Sequence, residues 1–194
     1  MVAGLILAAG ESSRMGRDKA LLTYRGQSFL ESIIRTLREA GIEHITVVLG
    51  HHAEEIRRAV NLRGAEVVVN ADYRLGQTSS LQAGLRALAA SDLAAIVLCL
   101  VDHPLVAPGT VRTLTAALGE PGVVAAIPTH HGQHGHPVVI GKELFAELNT
   151  LPPEIGANTV VRRHQQTTKL VEVDDPGILA DIDNPETYHR LASQ

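Results

Sequence analysis

A chain of 194 residues, 45% hydrophobic and 20% charged, has the balance of an ordinary globular protein and can bury one sizeable core. Aromatic residues make up only 3% and Trp is missing, so that core must be built from Leu, Val, Ile and Ala. A formal net charge of −4 argues against broad binding along a nucleic-acid backbone, and no apolar run reaches the ~20 residues of a membrane-crossing helix.

In chain order, strands are expected at Val2–Ala8, His44–Leu49, Glu66–Asn70, Ala94–Val101 and Val123–Pro128. Helices are expected between them at Ser28–Ala40, Ala53–Val60, Thr78–Ala90 and Thr110–Leu118. Within Ser28–Ala40, Phe29, Ile33, Ile34 and Leu37 share one helical face, while Glu31, Arg35 and Arg38 lie elsewhere on the wheel. Leu81, Leu85 and Leu88 repeat that spacing, with Thr78 or Ser79 suited to cap the helix start. The run Ala94–Val101 is apolar at nearly every position, which suits a parallel sheet covered on both faces. Repeated βα units with right-handed crossovers predict an α/β protein: a three-layer α/β/α sandwich, Rossmann-like, with a mostly parallel sheet. Ligands of such sheets sit beyond the carboxyl ends of the strands.

The last third is less regular. It offers a short strand at Pro137–Ile140, a helix near Lys142–Leu148, a strand near Lys169–Val173 and a helix start at Pro185. No linker or repeat interrupts it, so a single domain over residues 1–194 is expected. The one cysteine, Cys99, sits in an apolar run and reads as a small buried hydrophobe. The first residues form an apolar strand without the flanks of a signal peptide, which predicts a cytoplasmic enzyme.

Strand Val2–Ala8 runs into Ala9-Gly10-Glu11-Ser12-Ser13-Arg14-Met15-Gly16-Arg17-Asp18-Lys19. Small residues let a backbone approach a ligand, and glycine permits the turns that aim several N–H groups at one anion. Arg14 adds a planar fork and Lys19 a compact ammonium, both suited to a triphosphate. The Walker pattern fails here because Gly16 is followed by Arg17 and Asp18. The dinucleotide fingerprint fails because Ala9-Gly10-Glu11 has a single Gly.

The segment LAAGESSRMGRDK resembles the signature LAAGxSxRMGxxK of the molybdopterin nucleotidyltransferase-like family. That resemblance implies a Rossmann-like fold and transfer of a nucleotidyl group to a phosphorylated acceptor, with release of pyrophosphate. It implies nucleotide binding by Leu7, Ala8, Ala9, Gly10, Glu11, Ser12, Ser13, Arg14 and Lys19. Gly76, Ser79 and Ser80 join them from Gly76-Gln77-Thr78-Ser79-Ser80, a stretch that is also an ordinary Ser/Thr helix start.

Asp102 ends an apolar strand, where a carboxylate is costly without a partner, and a hard divalent cation is a fitting one. It resembles the Mg²⁺-binding aspartate of the family, written Asp-Gln-Pro in the cytidylyltransferase branch, with His103 here in place of Gln. Asp181-Ile182-Asp183-Asn184-Pro185-Glu186-Thr187-Tyr188 resembles the DIDTPEDY tail of that branch. Asp183 is the favoured second Mg²⁺ ligand and Asp181 its competitor; N-capping by Asn184 or Asp183 is an ordinary alternative. His130, His131, His134 and His136 match no standard zinc spacing. Gly135-His136-Pro137 instead resembles the GHP element bordering the acceptor site, so His103, Pro104, Gly135, His136 and Pro137 are the candidate acceptor-binding residues. His51 and His52 read simply as loop residues.

Arg14, Lys19 and Asp102 are thus the candidate catalytic residues. The resemblance points first to CMP transfer from CTP to molybdopterin, with a molybdoenzyme or its chaperone as a further partner and neither nucleic acid nor membrane involved. A GTP-dependent guanylyltransferase, a sugar- or polyol-phosphate nucleotidyltransferase and a catalytically idle nucleotide-binding chaperone are the alternatives.

Overall fold

Strand β1 (Val2–Ala8) is buried at every position from Ala3 onward, which requires cover on both faces and a neighbour on both edges. A computed structural model, describing residues 1–193, places it between β4 (His44–Leu49) and β6 (Ala95–Leu100), parallel to both. With β5 (Glu66–Val69), β7 (Ala125–His130), β9 (Val138–Gly141) and β10 (Thr168–Glu172), the sheet runs β10-β7-β9-β6-β1-β4-β5. β9 is antiparallel to β6 and β7, while the other pairs along this path are parallel. A short strand β8 (Gln133–His134) pairs back on β7, and β2 (Thr23–Tyr24) with β3 (Gln27–Ser28) forms a separate hairpin.

Alternation along β1 divides the core into two layers. Ile6 and Ala8 pack with Leu30, Ile34 and Leu37 of helix α1 (Phe29–Glu39) on one face, together with Ile56 of α2 (Ala53–Ala59) and Leu114 of α4 (Pro108–Leu118). Leu5 and Leu7 pack on the other face with Leu81 and Leu85 of α3 (Gln77–Ala87), Leu148 of α5 (Phe145–Thr150) and Val160 of α6 (Asn158–Arg163). Each such Leu, Ile or Val side chain contributes about 1.5–3 kcal/mol on burial. A third small cluster, Met15, Leu22, Phe29, Ile182 and Leu191, fastens α7 (Pro185–Ala192) beside the loop after β1. The three-layer, mostly parallel α/β architecture expected from the sequence is therefore the one observed. No helix among the described residues is long and apolar enough to cross a membrane.

Several local expectations are corrected. The fifth predicted strand starts at Ala125 and runs on to His130; ahead of it the Val124 N–H donates to the Thr167 carbonyl at 2.8 Å. α3 ends at Ala87 and tightens into a 3₁₀ turn over Leu88–Ala90. Neither Thr78 nor Ser79 caps it. The Thr78 hydroxyl donates to the Ile155 carbonyl at 2.6 Å, and that of Ser79 faces the Asp72 and Gly76 carbonyls. The helix expected near Lys142–Leu148 is a 3₁₀ turn over Lys142–Leu144 followed by α5. By contrast, α1 begins with a capping box: Ser28 Oγ accepts from the Glu31 N–H at 3.1 Å, and Glu31 Oε2 accepts from the Ser28 N–H at 2.8 Å.

Gly135 lies between β8 and β9 with its backbone against the segment Pro176–Leu179. A Cβ there would sit 2.4 Å from the Ile178 carbonyl oxygen, an atom of the backbone that cannot rotate away. Gly135→Ala should therefore destabilise the fold by about 1–3 kcal/mol, as overpacking does, read as a lowered urea midpoint. An unchanged midpoint would mean that the β8–β9 connection shifts aside without cost.

Candidate functional site

A cavity of about 300 Å³ opens beyond the carboxyl ends of β1 and β6. Leu7, Ala8, Leu100 and Val101 form its floor at the strand ends, and Ala9, Gly10, Ser12 and Ser13 form one wall. The wall takes its shape from two left-handed residues, Ser12 at φ 50° and Gly16 at φ 64°, which flank a 3₁₀ turn over Ser13–Met15. Gly16 holds that conformation without the cost a Cβ would bring. The loop is tied down by its own side chains: Ser12 Oγ accepts from the Lys19 N–H at 3.1 Å, and Asp18 Oδ1 from the Ala20 N–H at 3.2 Å. Met15 points into the third apolar cluster, leaving the neighbouring Arg14 side chain 78% exposed at the rim.

The charged side chains meet on one lysine. Lys19 Nζ donates to Asp183 Oδ1 at 2.5 Å and to Asp102 Oδ2 at 3.1 Å, with its own side chain 10% exposed. Arg14 pairs with the other oxygen of Asp183. Burial alone would lower the Lys19 pKa, but the hydrogen bonds to the two aspartates and their charges outweigh it, and the ammonium is held above its ordinary value. The Asp183 carboxyl is held below the usual range, first by the Lys19 hydrogen bond and then by the nearby positive charges. Two chain segments far apart in sequence are stitched here, since the Ile182 N–H donates to the Asp102 carbonyl at 3.0 Å.

Asp102 also keeps a second, unused oxygen. Its Oδ1 is buried and receives no hydrogen bond. Asp102, His103 and Asp181 each offer one ligand atom, and these lie within 4.8 Å of one another. The Asp181 pKa is raised, by burial and then by the charge of Asp102. A carboxylate oxygen with no donor, next to a second carboxylate, is a donor set that suits a hard divalent cation. Asp183 is not in this group and meets Asp102 through their shared bonds to Lys19.

Among the residues singled out from sequence, Leu7–Gly10, Ser12, Ser13, Arg14, Lys19, Gly76, Ser80, Asp102 and Asp183 share this cavity. Glu11 does not line it and instead pairs with Arg74 at 3.0 Å. Ser79 is buried beneath the wall, where it accepts from Asn70 Nδ2 at 2.9 Å. His103, Pro104, His136 and Pro137 line a separate void of about 10 Å³, roughly the size of one water, and the two imidazoles pack at 5.0 Å. Burial, helped by His103, pushes the His136 pKa down to about 4, so this ring is neutral near pH 7. His130 places Nδ1 2.9 Å from the Val173 carbonyl. Sequence reasoning missed Asp18, Tyr73, Gln77, Leu100 and Val101 as lining residues. Asp18 stands at a variable position of the motif, and Tyr73 lies in a 3₁₀ turn that no periodicity marks.

Residues 4–168 match the MobA-like NTP transferase domain, and the chain belongs to this nucleotidyltransferase family. It is 33% identical to nicotine blue oxidoreductase of Paenarthrobacter nicotinovorans, over 98% of this chain and 96% of that one. It is 26% identical to the molybdenum cofactor cytidylyltransferase of Escherichia coli, over 95% and 92% of the two chains. A probable molybdenum cofactor guanylyltransferase of Opitutus terrae is 40% identical over 53% of this chain and 48% of that one. Among solved structures, Rv0371c of Mycobacterium tuberculosis superposes with a TM-score of 0.87 at 32% identity, covering 100% of this chain and 97% of that one. The same protein has been solved in complex with manganese, with a TM-score of 0.79 at 29% identity and coverage of 100% and 98%.

The Lys19 bridge has a measurable signature. The pairing of Asp183 stabilises the fold above that carboxyl's unfolded pKa of about 4 and is lost as pH falls through its lowered folded value. In Lys19→Met the Asp183 carboxyl should titrate higher than in the parent by ¹³C NMR. An unmoved Asp183 titration would show that Lys19 does not set it.

Proposed function

We propose that this MobA-like NTP transferase transfers a nucleotidyl group from a nucleoside triphosphate, CTP in the first instance, to the phosphate of a molybdopterin-type acceptor. The observation that carries the reading is the Lys19 bridge: an ammonium between Asp102 and Asp183 at the mouth of a Gly/Ser backbone loop. In the reaction an oxygen of the acceptor phosphate bonds to the α-phosphorus as the bond from that phosphorus to the α,β-bridging oxygen breaks, and pyrophosphate leaves. A phosphate-monoester oxygen is already anionic, so no general base is needed. The obstacle is repulsion between two anions.

Lys19, Arg14 and the N–H groups of Ala9 to Ser13 answer that obstacle by concentrating positive charge and hydrogen-bond donors on the triphosphate side. Arg14 suits a mobile role because its side chain is largely exposed. Asp102, with Asp183 or Asp181 beside it, would hold Mg²⁺, which supplies further neutralisation of phosphate charge. Gly76 and Ser80 flank the far side of the cavity, where a ribose or base would lie. The preference for CTP and for molybdopterin is supported by the full-length similarity to a cytidylyltransferase and by the GHP and DID elements. GTP, or a sugar or polyol phosphate as acceptor, would use the same charge arrangement. A cofactor-inserting chaperone would bind the nucleotide without turning it over.

A second reading is an oxidoreductase, favoured by the 33% identity to nicotine blue oxidoreductase over nearly the whole chain. The two separate on products. CTP, GTP, UTP and ATP supplied with molybdopterin cofactor should give pyrophosphate and a cofactor mass increased by CMP, fastest with CTP. A GTP preference would overturn the donor and keep the reaction class; no pyrophosphate, with turnover of nicotine blue, would favour the second reading. Asp102→Ala and Lys19→Ala should each lower turnover by about 10²–10³-fold with unchanged circular dichroism. Parental rates from either folded variant would remove its assigned role.

A further inference from the structure

The turn after β4 brings a second set of metal-compatible side chains together with Asp18 of the loop after β1. Asp18, His51 and His52 each offer one ligand atom, and the atoms lie within 4.8 Å of one another. Asp18 uses one oxygen to accept from the Ala20 N–H. Its other oxygen, Oδ2, is buried without a hydrogen-bond partner on a side chain only 4% exposed. His51 Nδ1 is also buried and unpartnered. His52 Nδ1 stands 3.8 Å from Asp18 Oδ2, beyond hydrogen-bond reach, on a side chain 51% exposed.

Two buried polar atoms without partners in one place are costly, and Asp18 Oδ2 and His51 Nδ1 are two such atoms. The rings of His51 and His52 lie against each other, centroids 3.7 Å apart and tilted by 37°, and His51 Nδ1 has no hydrogen bond from its neighbour. The backbone holds the arrangement. The His51 N–H donates to the Ala9 carbonyl at 3.1 Å, and His52 takes the left-handed conformation, φ 50°, without capping α2. A non-glycine residue in that region is uncommon and marks a constrained position.

We propose that Asp18, His51 and His52 form a second divalent-metal site, suited to a nitrogen-preferring cation such as Zn²⁺. Two imidazoles and one carboxylate are a standard donor set for such an ion. Metal–ligand bonds of about 2.0–2.1 Å in a tetrahedron set donors about 3.3 Å apart; His52 Nδ1 and Asp18 Oδ2 stand at 3.8 Å and the three ligand atoms within 4.8 Å of one another, so the site closes by side-chain rotation about the ion. The exposed side of His52 leaves the fourth position to water. The ion clasps the phosphate loop, through Asp18, to the turn between β4 and α2. It differs from the Asp102 group in donor type, two imidazoles and one carboxylate against two carboxylates and one imidazole.

The test uses chelator-stripped full-length protein and zinc chloride alone, with affinity and stoichiometry read by competition with a chromogenic chelator. Parent and Asp102→Asn should bind one zinc with matching affinity. His52→Asn, which keeps a residue tolerant of the left-handed backbone, and His51→Ala should each lose more than about 10-fold, the least cost of disturbing a metal's ligands. Cobalt(II) should give the parent a tetrahedral d–d absorption that both histidine variants lack. Zinc saturation at a hundredfold excess over Kd should raise the parent Tm by about 5–10 °C. Unchanged zinc affinity in folded His52→Asn, loss of zinc in Asp102→Asn alone, or no zinc bound by the parent would overturn the site.

Discussion

One buried ammonium organises the charged part of this molecule. Lys19 comes from the loop after β1, Asp102 from the end of β6 and Asp183 from the approach to α7, and all three converge because the sheet brings β1 and β6 side by side. Each of the three would be costly to place there alone. Together they neutralise one another, and the cost of drying the lysine is offset by two charged hydrogen bonds. The surrounding structure follows from this. The loop is pinned by Ser12 and Asp18 so that Lys19 emerges at a fixed point, and Ile182 is bonded to the Asp102 backbone so that the tail cannot drift.

The same arrangement shows why the cavity suits a polyanion. Lys19 is over-subscribed by carboxylates, while Arg14 is exposed and Asp102 still has an oxygen without a donor. Such a cluster is balanced but not saturated. In the proposed reaction an incoming triphosphate would compete with the carboxylates for the two cations, and a metal would compete with the cations for the carboxylates. Exchange of partners within a fixed frame needs little movement of the backbone, which is the condition for preorganised electrostatic stabilisation.

Much of this frame is legible in the chain because it is local. A seven-residue apolar strand followed at once by Gly, Ser, Arg and Lys is a continuous signal, and so is the lone carboxylate closing the run AAIVLCLV. What the sequence could not yield depends on distant returns. Ser79 and Ser80 are neighbours of one type and both accept from Asn70 Nδ2, yet only Ser80 lines the cavity, while the Ser79 hydroxyl is turned to the Asp72 and Gly76 carbonyls. Glu11 sits within the motif but is drawn off by Arg74, 63 residues away. His51 and His52 do occupy a turn, as their position suggests, but only the folded chain brings Asp18 against them. Helix α6 went unmarked because its buried pair, Val160 and Val161, is too short a pattern to show a period.

The tail that carries Asp181 and Asp183 lies beyond residue 168, where the match to the family domain ends. It is fastened by Ile182 and Leu191 in a small apolar cluster, the Ile182 N–H on the Asp102 carbonyl, the pairing of Asp183 with Lys19 and Arg14, the Tyr188 hydroxyl on the Thr23 carbonyl, and an edge-to-face contact of Tyr188 with Phe29. The loop after β1 and the aspartates of the tail are thus modular along the chain. Lys19 and Asp102 are woven into the central sheet; Asp181 and Asp183 lie on a strap beside them. A lineage could replace the strap, and with it these two aspartates, and leave Asp102 and every strand in place.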